Sequence, residues 1–452
     1  MRIHFISIGG AVMHNLAIAL KKAGHQLTGS DDEIYDPARS RLEKEGLLPK
    51  KEGWFESNIQ PDIDLIILGM HARGDNPELI KAGELGLQIM SFPEYIYRHS
   101  KNKIRVMVGG SHGKTTTTSM IMHALKACEV EFDYLVGAYL DGFENMVSLS
   151  DAPIVVIEGD EYLSSAIDRR PKFFHYRPQI SILTGIAWDH MNVFPTSDFY
   201  FEQFVGFLQT IPDDGLVFWY GEDDQLKRLT DEYDGSAQLI SYKKIPHKKS
   251  PDLWALISSE GKEYPVNLFG EHNMANFQAA LLVCRELGLS ELQFLEAMKS
   301  FEGAKKRLQL IEKFNGRYFY QDFAHAPSKV KATVESFRQR FTSEHICAVV
   351  ELHTYSSLNQ EFLPQYKGAL DEADVAIVFF SPHTLKMKRM PPLNKDIIRK
   401  QFDREDIIAV NNAEELREIL IEVNRSDTNY LMMSSGTFGG LDLSKMSGEL
   451  LH

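Results

Sequence analysis

The chain has 452 residues, room for about three domains at roughly 150 residues each. Lys plus Arg is 49 against 63 Asp plus Glu, a net charge of −14 with no basic tail, which argues against nucleic acid as a partner because such affinity comes mostly from phosphate neutralisation. Hydrophobic residues at 43% and charged residues at 25% fit a globular protein; three scattered cysteines without a CxxC exclude a disulfide scaffold or zinc ribbon and fit a reducing cytoplasm. No apolar run approaches the ~18 residues of a membrane span. The apolar N-terminus carries His4, Ser7, Gly9, Gly10, His14 and Asn15 with no small-residue cleavage site after it, so it reads as mature structure.

In chain order, Arg2–Ile8 reads as a buried strand, a Gly pair follows, and Met13–Ala23 has helical spacing with Gly24 as its stop. Leu27–Gly29, Leu65–Leu68 and Gln88–Met90 are further strands, and strands separated by helices imply a parallel sheet. This unit is expected to span 1–102. A second, 103–304, starts with the strand Ile104–Val108, the stretch GGSHGKTTTT and a helix to about Ala127. Strands follow at Ile154–Ile157, Ile180–Leu183 and Leu216–Trp219, then a hairpin of Leu253–Ser258 and Glu263–Leu268, then helices Asn273–Leu287 and Ser290–Ser300. The basic run Lys243–Lys249 reads as a solvated loop. A third unit, 305–452, has strands at Tyr318–Tyr320, Ile346–Val350, Val375–Phe379, Ile407–Val410 and Tyr430–Met433. The expectation is three consecutive α/β domains, Rossmann-like, P-loop ATPase-like and Rossmann-like.

The strongest chemical signal is Gly109-Gly110-Ser111-His112-Gly113-Lys114-Thr115-Thr116, a Gly-rich turn between a strand and a helix. Backbone N–H groups there cradle phosphate oxygens, the helix dipole favours the anion, Lys114 adds a point charge, and a Thr hydroxyl suits Mg²⁺. The strict pattern GxxxxGK[ST] fails only because Val108 stands at its first Gly. Lys114 reads as a loop lysine that contributes little packing. Ile157-Glu158-Gly159-Asp160-Glu161 follows an apolar strand and places carboxylates where Mg²⁺ would be held; alone it is equally a solvated acidic loop. Asp189-His190 is a second metal or phosphate candidate, and a lone His is more often structural. Asn273 and Asn276 read as helix caps or as base-binding amides, and Lys305-Lys306-Arg307 and Asp322-Phe323-Ala324-His325 as a salt-bridge patch or a site. Ile8-Gly9-Gly10-Ala11-Val12-Met13 is a degraded GxGxxG turn, a weak signal even intact.

Taken in order, Gly-Ser-His-Gly-Lys-Thr-Thr, Glu-Gly-Asp-Glu, Asp-His, Gly-Glu-His-Asn-Met-Ala-Asn, Arg307 and Asp-Phe-Ala-His resemble the Mur ligase family, ATP-dependent amide-forming ligases of peptidoglycan building, over essentially the whole chain. The resemblance implies domains for a UDP-substrate, for ATP, and for acceptor plus adenine. Gly9, Gly10, Ser30 and Asp31 resemble the branch that binds UDP-N-acetylmuramate, and Val12, Arg73–Pro77, Asp168–Tyr176 and Ser434–Gly440 resemble its members that attach an L-alanyl-γ-D-glutamyl-meso-diaminopimelate tripeptide. The implied function is amide ligation of UDP-N-acetylmuramate to that peptide; the alternatives are free L-alanine as acceptor or a non-catalytic nucleotide-binding homologue. The implied cofactors are ATP and Mg²⁺, and the implied partners small molecules, neither nucleic acid nor membrane, for a cytoplasmic monomer or weak homodimer. By resemblance, Gly110 to Thr116 hold phosphates, with Lys114 on the β/γ-phosphates. Thr115, Glu158 and His190 hold metal, Asn273 and Asn276 approach adenine, Arg307 the γ-phosphate, and Asp322 the ribose with His325 nearby. Gln321 and Ala326 replace an Asp and a His usual in the family, the acceptor motif near His353 lacks its Arg, and Phe199–Leu208 offers no Lys for carbamylation.

Overall fold

A computed structural model describes every residue except His190, Asn192, Pro251, Asp252 and Lys305. The N-terminal sheet holds β1 (Arg2–Ile6), β2 (Gln26–Ser30), β3 (Leu65–Leu68) and β4 (Ile89–Ser91), all parallel in the order β2-β1-β3-β4. The first strand stops short of the expected Ile8. Ser7 takes a left-handed φ of 73°, which turns the chain so that Ile8-Gly9-Gly10 leads into the helix Ala11–Lys22.

The central sheet contains β5 (Ile104–Gly109), β6 (Asp133–Leu135), β7 (Val147–Ser148), β8 (Ile154–Glu158), β9 (Ile180–Leu183), β10 (Leu216–Tyr220) and β11 (Gln238–Tyr242) in the order β11-β10-β9-β5-β8-β6-β7. It is parallel apart from β7. Alternation along β5 explains its double burial: Val106 and Val108 pack with Met120 and Ile121 of the helix Lys114–Ala127, while Met107 packs on the other face with Phe173 and Phe204. Growth of the sheet reverses at β5, so the crevice beyond the carboxyl ends of β5, β8 and β9 is a topological switch point.

A small antiparallel sheet follows: β12 (His247–Lys248), β13 (Trp254–Ile257) and β14 (Glu263–Val266). The expected hairpin is β13–β14. The basic run before it leaves Lys243, Lys248 and Lys249 exposed, as a solvated loop would, but it is also anchored. Lys244, His247 and Lys249 converge on Glu271 at 3.2, 3.4 and 2.5 Å, and His247 stacks on Trp254.

The C-terminal sheet holds β15 (Gln309–Phe314), β16 (Arg317–Asp322), β17 (His345–Leu352), β18 (Val375–Phe380), β19 (Ile408–Val410) and β20 (Thr428–Met433) in the order β15-β16-β20-β17-β18-β19. Only β15 is antiparallel to its neighbour. This unit packs on the central one through aromatic contacts: Phe269 meets Tyr320 edge-on at 5.7 Å, and the Arg340 guanidinium lies 4.6 Å from the Phe269 ring centre. The whole is three α/β domains. Among the described residues no helix is long and apolar enough to cross a membrane.

Candidate active site

The turn after β5 is shaped by two glycines with positive φ. Gly110 (φ 118°) lies against Thr184, where a Cβ would run into its hydroxyl and come within 2.9 Å of its backbone N. Gly113 (φ 71°) caps the helix Lys114–Ala127, and a Cβ there would collide with the Asn276 amide oxygen. The loop is tied down behind: Ser111 N–H donates to Gly185 O at 2.9 Å, and the Ser111 hydroxyl accepts from Ala187 N at 2.8 Å and meets the Tyr200 hydroxyl at 3.0 Å. The Ser111 side chain therefore supports the loop from within.

Lys114 is not the loosely packed loop lysine expected. Its ammonium donates to Gly110 O at 2.6 Å and to Glu161 at 2.8 Å, and Glu161, which is buried, also accepts from the Tyr200 hydroxyl at 3.0 Å. Burial works against the lysine's charge, but Glu161, Asp160 and Glu158 outweigh it and hold its pKa above the ordinary value. On the next residue, the Thr115 hydroxyl donates to Glu158 Oε1 at 2.8 Å, and Glu158 Oε2 accepts from Gly137 N at 2.9 Å. A hydroxyl and a carboxylate side by side at a phosphate loop are the hard oxygen donors that Mg²⁺ prefers, so this pair fits that ion.

Residues of the C-terminal unit close over the loop. Arg307 brings Nη2 to 3.4 Å from Thr115 Oγ1 and packs 4.6 Å over the Phe323 ring. It is part of the cavity wall rather than of a surface salt-bridge patch. Lys306 lines the same wall, and Lys305 lies outside the described residues. His112 Nε2 meets the Ser328 hydroxyl at 2.9 Å, and Lys329 pairs with Asp189 at 3.0 Å. Asp189 thus faces the seam, while its neighbour His190 lies outside the described residues. Burial and the nearby Lys329 hold the pKa of His112 down to about 3 and that of His325 to about 4, so both rings are neutral. Asp322 accepts Leu308 N and Ala324 N, both at 2.7 Å, and burial raises its pKa. That carboxylate thereby fixes the residue next to Arg307 and the residue next to His325.

The helix Glu271–Glu286 is capped by Gly270, so the cap reading of Asn273 and Asn276 fails; both lie inside its first turns. Asn273 donates to Phe269 O at 2.8 Å, and Asn276 to Asn273 Oδ1 at 3.2 Å. These elements enclose a cavity of about 860 Å³ lined from all three domains, with Ala11 and Val12, the phosphate loop and Glu158, and Asn273, Arg307, Asp322 and His325 in its wall.

The N-terminal turn residues sit beside that cavity and are not among its lining. Gly9 N–H donates to Asp31 at 2.7 Å, and burial raises the Asp31 pKa to about 7. The Ser30 hydroxyl donates to the buried Glu78, which also meets His4 at 3.3 Å and accepts from Asn58 at 2.7 Å. Glu78 follows Asn76, the helix cap in the stretch Arg73–Pro77. Sequence reasoning missed Glu161, Tyr200 and Lys172 in the site, although Glu161 stood in the quoted Glu-Gly-Asp-Glu.

Three family models match the chain: Mur ligase family, catalytic domain, over residues 2–103; Mur ligase middle domain over 108–284; and Mur ligase, glutamate ligase domain, over 306–436. A UDP-N-acetylmuramate–L-alanine ligase of Caldicellulosiruptor bescii is 30% identical over 83% of this chain and 82% of its own. The chain belongs to the Mur ligase family. The UDP-N-acetylmuramate–L-alanyl-γ-D-glutamyl-meso-2,6-diaminoheptandioate ligase of Escherichia coli is 28% identical over 99% of this chain and 98% of that enzyme. Among solved structures, a murein peptide ligase from Psychrobacter arcticus superposes with a TM-score of 0.67 at 23% identity, covering 100% of this chain and 98% of the other. A UDP-N-acetylmuramate–alanine ligase from Thermotoga maritima gives 0.69 at 23%, with the same coverage. Both show the three-domain Mur ligase fold.

Proposed function

We propose that this Mur ligase joins the carboxylate of UDP-N-acetylmuramate to the L-alanyl amine of a murein tripeptide, with ATP supplying the driving force. The observation that carries the ATP-dependent part is the convergence of Lys114, Thr115 and Glu158 with Arg307, from another domain, in one cavity. The likeness to the Escherichia coli enzyme supports the peptide acceptor, and free L-alanine is the second reading, favoured by the Caldicellulosiruptor relative. In this reading residues 1–102 hold the UDP-substrate, 103–304 ATP, and 305–452 the acceptor and the adenine side.

The chemistry follows from the residue types. A carboxylate is a poor electrophile and is activated by phosphorylation, with ADP as the leaving group; the acceptor amine then attacks the acyl carbon, expelling phosphate and losing a proton to give the amide. Backbone N–H groups from Gly110 to Thr116 cradle the ATP phosphates, and Lys114 leaves Glu161 to neutralise the β/γ-phosphates. Thr115 and Glu158 would hold Mg²⁺, which offsets phosphate charge, and His190 is proposed for a second ion. Arg307 stabilises charge on the transferring phosphoryl group. Asn273 and Asn276 approach the adenine, and Asp322 and His325 the ribose side. On the donor side, Gly9, Gly10, Ser30 and Asp31 build the turn facing the UDP moiety. The neutral His112 and His325, with Lys329 and Asp189 between them, close the seam against water. Mass spectrometry of a reaction with ATP, UDP-N-acetylmuramate and L-alanyl-γ-D-glutamyl-meso-diaminopimelate tests the reading: it requires a product carrying the tripeptide on the muramoyl group, and its absence sinks the proposal.

A further inference from the structure

The cavity holds a second buried cation that the phosphate-binding machinery does not use. Lys172 is largely buried, pairs with Asp160 at 2.5 Å, and lies over the rings of Phe92 and Tyr162 at 5.5 and 5.8 Å. Asp160 and Glu161 are consecutive, so two adjacent carboxylates each carry one cavity-facing lysine: Glu161 takes Lys114 and Asp160 takes Lys172. Phe92 belongs to the N-terminal unit, which puts Lys172 at the seam between that unit and the phosphate loop.

The segment carrying Lys172 is rigidly held. Leu163 bridges Pro171, Lys172 N–H donates to Tyr162 O at 2.8 Å, and Ser164 N–H donates to Arg170 O at 3.0 Å. The Asp168 carboxylate grips Arg170 through two guanidinium nitrogens, at 3.0 and 2.6 Å. This fold-back explains why Asp168–Tyr176 forms one unit: its outer half locks the turn while its inner half presents Lys172 and Tyr176 to the cavity. Tyr176 is fully buried, lines the cavity, and among the described residues its hydroxyl has no hydrogen-bond partner. An unsatisfied buried hydroxyl is costly and calls for an explanation. An oxygen of a ligand in the cavity would supply one, and the Lys172 ammonium in the same wall selects an anion.

We infer that Lys172 and the Tyr176 hydroxyl bind the donor's carboxylate and hold it at the phosphate loop. The inference rests on the donor proposed above. Val12 and Phe92 of the N-terminal unit line the same cavity as Lys114, and Lys172, packed on Phe92, is a cation where a donor anchored by that unit would enter. Lys172 leaves Asp160, which is 41% exposed and solvated once released, to meet the incoming carboxylate.

The test is calorimetric titration of the full-length protein with UDP-N-acetylmuramate, with UDP-N-acetylglucosamine, which lacks the lactyl carboxylate, and with a non-hydrolysable ATP analogue. Lys172→Met should raise the Kd for UDP-N-acetylmuramate by roughly 10- to 100-fold and Tyr176→Phe by about 3- to 10-fold, the loss of one charged and one neutral hydrogen bond. Lys172→Arg should recover part of the loss, and the other two ligands should bind each variant as they bind wild type. Unchanged UDP-N-acetylmuramate affinity in Lys172→Met, or equal weakening of UDP-N-acetylglucosamine or the ATP analogue, would overturn the assignment. Failure of the wild-type protein to bind UDP-N-acetylmuramate at all would instead overturn the donor identity.

Discussion

Replacing Lys114 with Met removes one ammonium and leaves two separable consequences. In the resting structure that ammonium lies 2.8 Å from Glu161, with the two side chains 15% and 2% exposed. Breaking a fully buried pair costs about 3–5 kcal/mol, because the surviving charge is left uncompensated. Here Glu161 keeps the Tyr200 hydroxyl at 3.0 Å and Lys114 is partly solvated, which brings the expected loss to roughly 2 kcal/mol, or about 4–8 °C in the melting of the central domain. Turnover should fall by at least ~10²-fold, as when one charge-stabilising group is deleted. Calorimetric melting and ADP release are measured on Lys114→Met and on Lys114→Met/Glu161→Gln. The double variant should melt near wild type and stay inactive, since neutralising Glu161 repairs the stability defect but not the missing phosphate cation. Recovery of turnover in the double variant, or near-normal turnover in the single one, would refute the reasoning.

Gly110→Ala should destabilise the protein by at least ~1–3 kcal/mol and abolish nucleotide binding, because φ is 118° and the new methyl meets Thr184; melting and nucleotide titration check both. Glu158→Gln should leave stability within about 1 kcal/mol of wild type. It should nevertheless raise the Mg²⁺ concentration for half-maximal activity, and an unchanged Mg²⁺ titration would contradict the metal assignment. Burial lowers the His325 pKa from 6.5 to about 4, so the unfolded chain binds more protons between those values. The stability linked to this neutral ring is complete above about pH 6.5 and lost as pH falls toward 4; melting from pH 7.5 to 4.5 should fall more steeply for wild type than for His325→Gln, and parallel curves would contradict it.

The apolar interior strands and the phosphate loop were legible because their signals are local. Leu65–Leu68 is an all-apolar run, Ile180–Leu183 is broken only by Ser181, and Gly-Lys-Thr after a strand has one common physical use. The three-residue strand Asp133–Leu135 and the edge strands Val147–Ser148, Gln238–Tyr242 and Gln309–Phe314 were not, being short or carrying polar residues. Pairings between distant residues leave no trace in a single sequence. Nothing local marks Glu78, yet it gathers His4, Ser30 and Asn58 in the N-terminal core. Lys172 stood inside Asp168–Tyr176 with no role of its own, and the fold-back at Leu163 and Pro171 puts it in the cavity wall. The lysines of 243–249 likewise acquire their role only when Glu271 arrives from the next helix.

Steady-state ADP release tests ATP-driven amide ligation on a muramoyl carboxylate most directly. ADP should form only when ATP, Mg²⁺, UDP-N-acetylmuramate and an amine acceptor are all present, with a higher kcat/KM for L-alanyl-γ-D-glutamyl-meso-diaminopimelate than for L-alanine. A preference for L-alanine would change the acceptor and leave the mechanism intact. ADP release that ignores UDP-N-acetylmuramate, or none with any acceptor, would contradict the claim itself.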